Sequence, residues 1–153
     1  SFDKLTPETS MLVKAGDFYR IRDDGRIHFV YHDDGTQIKL RNQGTNLVFN
    51  ATEGGKRCSL GKGTMEVTVP DEPPGKPMVL LTNNTEVTVL EGGSFVVKFL
   101  DLKTHVAVTQ GKVKLRRLTD GKTAEIGAGQ EHTFAPSGPA RIEFDLGGTR
   151  TAP

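Results

Sequence analysis

The run from Val106 to Phe134, VAVTQGKVKLRRLTDGKTAEIGAGQEHTF, alternates apolar and polar residues and breaks at Gly111, at Asp120-Gly121 and at Gly127 to Gly129. Successive side chains of a strand point to opposite faces, so this alternation describes a ribbon with one buried face. An Asp-Gly pair between two such runs is a strong hairpin signal, because both turn residues must accept positive φ. The stretch reads as strand, glycine turn, strand, Asp-Gly hairpin, strand and a second glycine turn. Nowhere in the chain does a window show apolar residues at the i, i+3, i+4, i+7 spacing of an amphipathic helix. A chain written this way is expected to fold into sheets.

The same grammar runs upstream. Arg26 to Tyr31 alternates between Asp24-Gly25 and Asp34-Gly35, and Gln37 to Leu40 resumes the alternation with Ile38 and Leu40 inward. Asn46 to Phe49 is a further strand, closed by Glu53-Gly54-Gly55. Cys58 to Leu60 and Thr64 to Val69 flank an expected turn at Gly61-Lys62-Gly63. The run 70–77 carries four prolines, which no central strand tolerates, and is expected to be a crossover or a weak boundary. Met78 to Leu81, Glu86 to Leu90, Ser94 to Phe99 and Arg141 to Leu146 complete the set, and 147–153 is expected to fray.

Short strands at this spacing predict an all-β fold: a jelly-roll-like or elongated twisted β-sandwich of many short antiparallel strands, with a solenoid-like form as the variant. A length of 153 residues suits a single domain over 1–153. Leu60 to Val67 and Val108 to Leu115 share the pattern apolar-x-x-Gly-x-apolar-x-apolar, and Val89 to Gly92 begins a third copy with one residue too many before Phe95. The spacing is too irregular for a regular solenoid.

Charge and cysteine content exclude several functions. The formal net charge is +1, so nothing in it favours nucleic acid or an anionic membrane as partner. The single cysteine, Cys58, rules out an intrachain disulfide and a cysteine-built zinc site. No apolar run approaches the ~20 residues needed to cross a bilayer, and the polar start SFDKLTPETS does not read as a signal peptide. The chain is expected to be soluble, either cytosolic or a domain excised from a longer protein.

Few residues suggest chemistry. His28 and His32, four apart with Asp33 and Asp34 nearby, offer a conceivable divalent metal site, against the plainer reading of two histidines beside a turn. His105 and His132 lack a nucleophile or acid partner in the pattern, and Cys58 reads as a small hydrophobe in a strand. Gly61-Lys62-Gly63-Thr64 leads into a strand and has Lys56 where a phosphate loop needs glycine. No catalytic residue, metal or cofactor is therefore assigned. Lys112, Lys114 and Arg116, with Lys122 across the hairpin, form a basic stripe that could dock an acidic partner strand or guard an edge strand against self-pairing. Asp71-Glu72 between prolines reads as a connector.

Taken in order, these pieces resemble the periplasmic FecR domain. Asp34-Gly35-Thr36 with Ile38 and Leu40 resembles the family's opening Asp-Gly-(Ser/Thr)-x-(Val/Ile)-x-Leu. Gly55 to Gly63 resembles its Gly-x-Arg segment, and Pro77-Met78-Val79-Leu80 its Pro-Phe-x-Val strand. Gly92-Gly93-Ser94-Phe95-Val96-Val97 is similar to Gly-Thr-x-Phe-x-Val, with Gly93 in place of the threonine. Val106 to Leu115 resembles Val-x-Val-x-x-Gly-x-Val-x-Val, and Ile126 to Glu131 its closing Leu-x-(Ala/Pro)-Gly-Gln/Glu. The resemblance covers about 34–135, with N-terminal strands over 1–33.

The resemblance implies a non-enzymatic sensor and protein-interaction domain in the periplasm. Its parent would be an inner-membrane protein that relays an envelope signal, such as iron-siderophore uptake, to a cytoplasmic anti-sigma region. The signalling domain of a TonB-dependent transporter is the implied partner. A carbohydrate-binding or cell-envelope adhesion module is the alternative. It is weakened by the absence of Trp and by having Tyr19 and Tyr31 as the only tyrosines.

Overall fold

The computed structural model describes residues 12–50, 55–70, 77–136, 143–144 and 150–151. The strands are β1 (Phe18–Arg20), β2 (Arg26–Val30), β3 (Gln37–Phe49), β4 (Arg57–Val69), β5 (Val79–Leu81), β6 (Thr85–Leu100), β7 (Lys103–Arg117), β8 (Thr123–Gly127), β9 (Glu131–Phe134), β10 (Glu143–Phe144) and β11 (Arg150–Thr151). No helix occurs among the described residues, and the all-β expectation holds. The proline-rich run 71–76, with the expected connector Asp71-Glu72, and most of the tail lie outside the described residues.

Nine strands form one open sheet. The expectation of many short strands is corrected, because β3, β4, β6 and β7 run for 13, 13, 16 and 15 residues. Each belongs to two layers. The first layer pairs β2 with the start of β3, then the end of β4, the end of β6, the start of β7 and β9. The second layer pairs β1 with the end of β3, then the start of β4, β5, the start of β6, the end of β7 and β8. One pairing, β4 with β5, is parallel, another departure from the antiparallel expectation. The β3–β4 hairpin therefore folds over at one end of the molecule and the β6–β7 hairpin at the other.

The layers face each other. Phe29 of the first layer packs edge-on against Tyr19 and Phe49 of the second, with centroids 5.0 and 4.9 Å apart. Between the layers lies one apolar core that runs from Ile21 through Ile38, Leu47, Met65, Val87 and Val97 to Phe134. Each fully buried Leu, Ile, Val or Met in it contributes about 1.5–3 kcal/mol of transfer free energy.

The expected turns at Gly61 to Gly63 and at Gly111 are bends inside β4 and β7. Gly63 has φ +104° and Gly111 φ +86°, values that side-chain-bearing residues rarely adopt. Each marks a register shift at the bend, where 42–45 of β3 stand opposite Gly63 and Gly92-Gly93 of β6 opposite Gly111. The phase of burial changes across each glycine. Cys58 and Leu60 are buried before the β4 bend, and Met65, Val67 and Val69 after it. Even positions give way to odd ones, yet the apolar face stays inward. The apolar-x-x-Gly-x-apolar-x-apolar repeat is thus the signature of a strand that crosses between layers. Asp24-Gly25 makes no hairpin, because β1 and β2 both pair with β3. Asp34-Gly35 and Asp120-Gly121 do turn the chain, with φ +78° and +75° at the glycines.

Candidate functional site

The end of the molecule where β2 turns into β3 carries a cleft of about 370 Å³. Four segments converge there: residues 12–15, the end of β2 with its turn, the end of β3, and the start of β4. The first segment is tied down by backbone bonds, since Gly16 donates to the Phe49 carbonyl at 2.6 Å and Asp17 to Lys14 at 3.0 Å. Phe29, Tyr31 and Phe49 form the floor, and Leu12, Val13 and Val30 are exposed apolar groups on the walls. An exposed β-branched residue such as Val30, 53% accessible, carries no explanation in the core of this chain.

The polar lining has one sign. Lys14, Lys56 and Arg57 line the cleft with His28 and His32, and none of the described lining residues is an aspartate or glutamate. Lys56 is held in place from behind. Its Nζ lies 2.8 Å from Asp34 Oδ2 and 3.2 Å from Asp33 Oδ2, and 5.4 Å from the Tyr31 ring centroid. Asp34 also accepts the Thr36 N–H at 2.9 Å, which closes the β2–β3 turn. Burial pushes the Asp34 carboxyl up, but the Lys56 ammonium and the Thr36 N–H outweigh it and hold the group below its ordinary 3.8. Burial likewise pushes Lys56 down, and the two carboxylates more than reverse it, so its pKa lies above 10.5. Burial is also the main cause of the raised Tyr31 pKa.

These directions give a pH prediction. The lowered Asp34 pKa means stability present above its unfolded value and lost as pH falls through the folded one. The raised Lys56 pKa means stability present below its unfolded value and lost in strong alkali. The pair therefore steadies the turn from about pH 4 to pH 10, with a worth of about 1 kcal/mol. Lys56→Met is expected to lower the thermal midpoint in that window and to flatten its fall below pH 4. An acid limb as steep as that of the parent chain would show that other carboxylates dominate.

The histidines separate. His28 lies in β2 and shares a hydrogen bond with Gln37 Oε1 at 3.0 Å, while His32 sits in the following turn. No group of three or more His, Cys, Asp or Glu side chains among the described residues could hold a metal. His105 contacts Thr133 Oγ1 at 2.6 Å and Glu131 Oε1 at 3.3 Å, and His132 packs on Phe134. Cys58 is fully buried between Phe49 and Leu80, with its thiol pushed up to about 12 by burial. So high a pKa leaves almost no thiolate at neutral pH.

Lys112, Lys114 and Arg116 do share one outward face. Their strand is interior, however, lying between β6 and β8, so they guard no edge. Lys112 sits 3.6 Å from Glu91, Arg116 3.2 Å from Glu86, and Lys114 is opposite Thr88 and Glu125. The face is a mosaic of both signs. The cationic cleft escaped sequence reasoning because its described residues come from four separate segments. Only the crowding of His28, Val30, Tyr31 and His32 hinted at it.

A family model described as FecR protein matches residues 6–114. That span starts upstream of Asp34 and stops short of Ile126 to Glu131. Two crystal structures of a protein from Parabacteroides distasonis ATCC 8503, described as an anti-sigma factor, have the same fold. One, at 1.65 Å, is 23% identical and the other, at 2.50 Å, 24% identical, both with a TM-score of 0.65. Each alignment covers 78% of this chain and 55% of that one, so this chain spans about half the length of that protein. No curated protein sequence matches the chain. The matched span takes in every strand from β1 to β6, most of β7 and both fold-over hairpins, and on it the chain belongs to the FecR family.

Proposed function

We propose that this chain is the extracytoplasmic sensing and protein-binding part of a membrane-anchored FecR-type regulator. It engages an envelope protein, and the parent protein passes that event to an anti-sigma region. Iron-siderophore uptake through a TonB-dependent transporter is the first signal to test. The match to the FecR model over most of the chain carries the reading. The fold agrees with it, since bent hairpins stacked around one core make a stiff body suited to presenting a surface. Among the described residues the cleft lining joins cations to aromatic and aliphatic groups, a composition that supports recognition of a partner. The mosaic face of Lys112, Lys114 and Arg116 is a second surface that a partner could contact.

The test is capture. The immobilised chain is exposed to envelope extracts from iron-starved and iron-replete cells, and bound proteins are identified by mass spectrometry. A TonB-dependent transporter enriched from starved cells is the expected result. If the same proteins come from both extracts and no transporter is among them, the iron-signalling reading fails.

A further inference from the structure

We propose that the cleft beside β2 takes an extended acidic peptide, which adds as a new strand to the free edge of β2. The proposal rests on the protein-binding reading above and names where and what that surface binds.

The edge comes first. Among the described strands, β2 pairs with β3 alone, so its other side has no partner there. Which backbone groups face outward follows from the register. Tyr31 donates to the Thr36 carbonyl at 2.8 Å and accepts from Gly35 at 2.9 Å, so its polar groups belong to the turn. Directly opposed residues of an antiparallel pair alternate between bonded and non-bonded. With Tyr31 bonded to the β3 side, Phe29 opposite Ile38 and Ile27 opposite Leu40 are bonded too. The N–H and C=O groups of Arg26, His28 and Val30 then point away from β3. His28 and Val30 are also the two residues of that set that line the cleft. The free donors and acceptors and the cleft are therefore one surface.

The chemistry of the walls chooses the occupant. Native edges are commonly blunted by charge, proline or a bulge; β2 carries one charge, Arg26, at its start and presents the exposed Val30 at the cleft. Strand addition takes its affinity from main-chain bonds and its specificity from pockets for alternate side chains. Here the pocket floor is aromatic, and the charged rim is Lys14, Lys56 and Arg57. Asp33 and Asp34 already neutralise Lys56 from behind, which leaves Lys14 and Arg57 as the cations facing an incoming chain. A strand that alternates acidic with apolar residues places carboxylates against these two and an apolar group on Phe29 and Tyr31.

The test uses the full chain and three fluorescent hexapeptides read by anisotropy. One alternates glutamate with valine, one alternates lysine with valine, and one is the acidic peptide with alternate backbone nitrogens methylated. The acidic peptide is expected to bind and to weaken with salt. The basic peptide and the methylated one are each expected to bind at least about tenfold more weakly. Lys14→Glu with Arg57→Glu is expected to reduce affinity for the acidic peptide by about tenfold or more, and Lys98→Glu with Lys103→Glu, both exposed and away from the cleft, to leave it unchanged. Urea unfolding of each variant checks that it folds. Equal binding of the acidic and basic peptides overturns the proposal, as does full affinity of the methylated peptide or of the Lys14/Arg57 variant. Dimerisation of the free chain through β2 also overturns it, by making a second copy the occupant. A transporter still captured by the Lys14/Arg57 variant would sink this site while leaving the proposed function standing.

Discussion

Gly63→Ala is expected to destabilise the chain by about 3–5 kcal/mol, a large part of the 5–15 kcal/mol that holds a typical domain folded. Two costs add. Placing an L-residue in the left-handed half of φ space costs about 1–2 kcal/mol. The new methyl group would also overlap the Thr45 hydroxyl and come hard against the Thr45 backbone. Thr45 cannot retreat. It is fully buried, its hydroxyl donates to the Arg41 carbonyl at 2.6 Å, and it accepts the Thr64 N–H at 3.2 Å. Overpacking of this kind adds about 1–3 kcal/mol. Gly16→Ala separates the two costs, because Gly16 has φ +89° but nothing within 4 Å of an added Cβ. It should show only the strain, about 1–2 kcal/mol. Urea unfolding of both variants decides the matter: equal costs would mean that the close approach of β3 and β4 at the bend contributes nothing.

That bend marks the limit of what the sequence discloses. The boundaries of β2 and the turns at Asp34-Gly35, Asp120-Gly121 and Gly129 were legible, because a short hairpin is written in adjacent residues. The bends at Gly63 and Gly111 were not, although the repeat that contains them was visible. A glycine at positive φ serves a hairpin and a bulge equally well, and only the pairing of distant chain segments tells them apart. One local sign does exist. Burial passes from Val106 and Val108 to Val113 and Leu115, a change from even to odd positions across one glycine. That change coincides with the register shift between β6 and β7. The cleft was less legible still. Its floor and rim are assembled from residues as far apart as Lys14 and Arg57, brought together only when the β3–β4 hairpin folds over. Gly93, the one glycine that departs from the family pattern, has a local reason in this chain. A side chain there would overlap the Gln110 carbonyl at the bend of β6 and β7.

Asn84→Leu is expected to cost about 3–5 kcal/mol at the end away from the cleft, where the β5–β6 turn of one layer meets the β6–β7 turn of the other. Asn84 is the joint between them. Its Oδ1 accepts the hydroxyls of Thr82 at 3.2 Å, Thr85 at 2.9 Å and Thr104, and its Nδ2 donates to the Leu102 carbonyl at 2.7 Å. Its own carbonyl accepts the Leu118 N–H at 2.8 Å. The Thr82 and Thr104 hydroxyls also lie 2.7 Å apart across the layers, so either can donate to the other in place of Asn84 Oδ1. All four polar side chains are buried. Leucine matches the shape and removes every side-chain partner, which strands the Thr85 and Thr104 hydroxyls and the Leu102 carbonyl. Each stranded group costs about 1–3 kcal/mol, less than additively because the threonines can partly rebond to one another. The Leu102 bond has a further role. Asp101 and Leu102 make the β6–β7 turn with φ +53° and +64°, a conformation that leucine resists. Loss of the Asn84 amide should therefore fray that turn first, and amide exchange at Lys103 and Thr104 should accelerate more than exchange at Val113. Ser94→Ala is the control: its hydroxyl makes only an exposed 3.5 Å contact with Thr68, and its loss should stay within about 0.5 kcal/mol. A cost for Asn84→Leu as small as that of Ser94→Ala would show that the two layers are held together at this end by apolar packing alone.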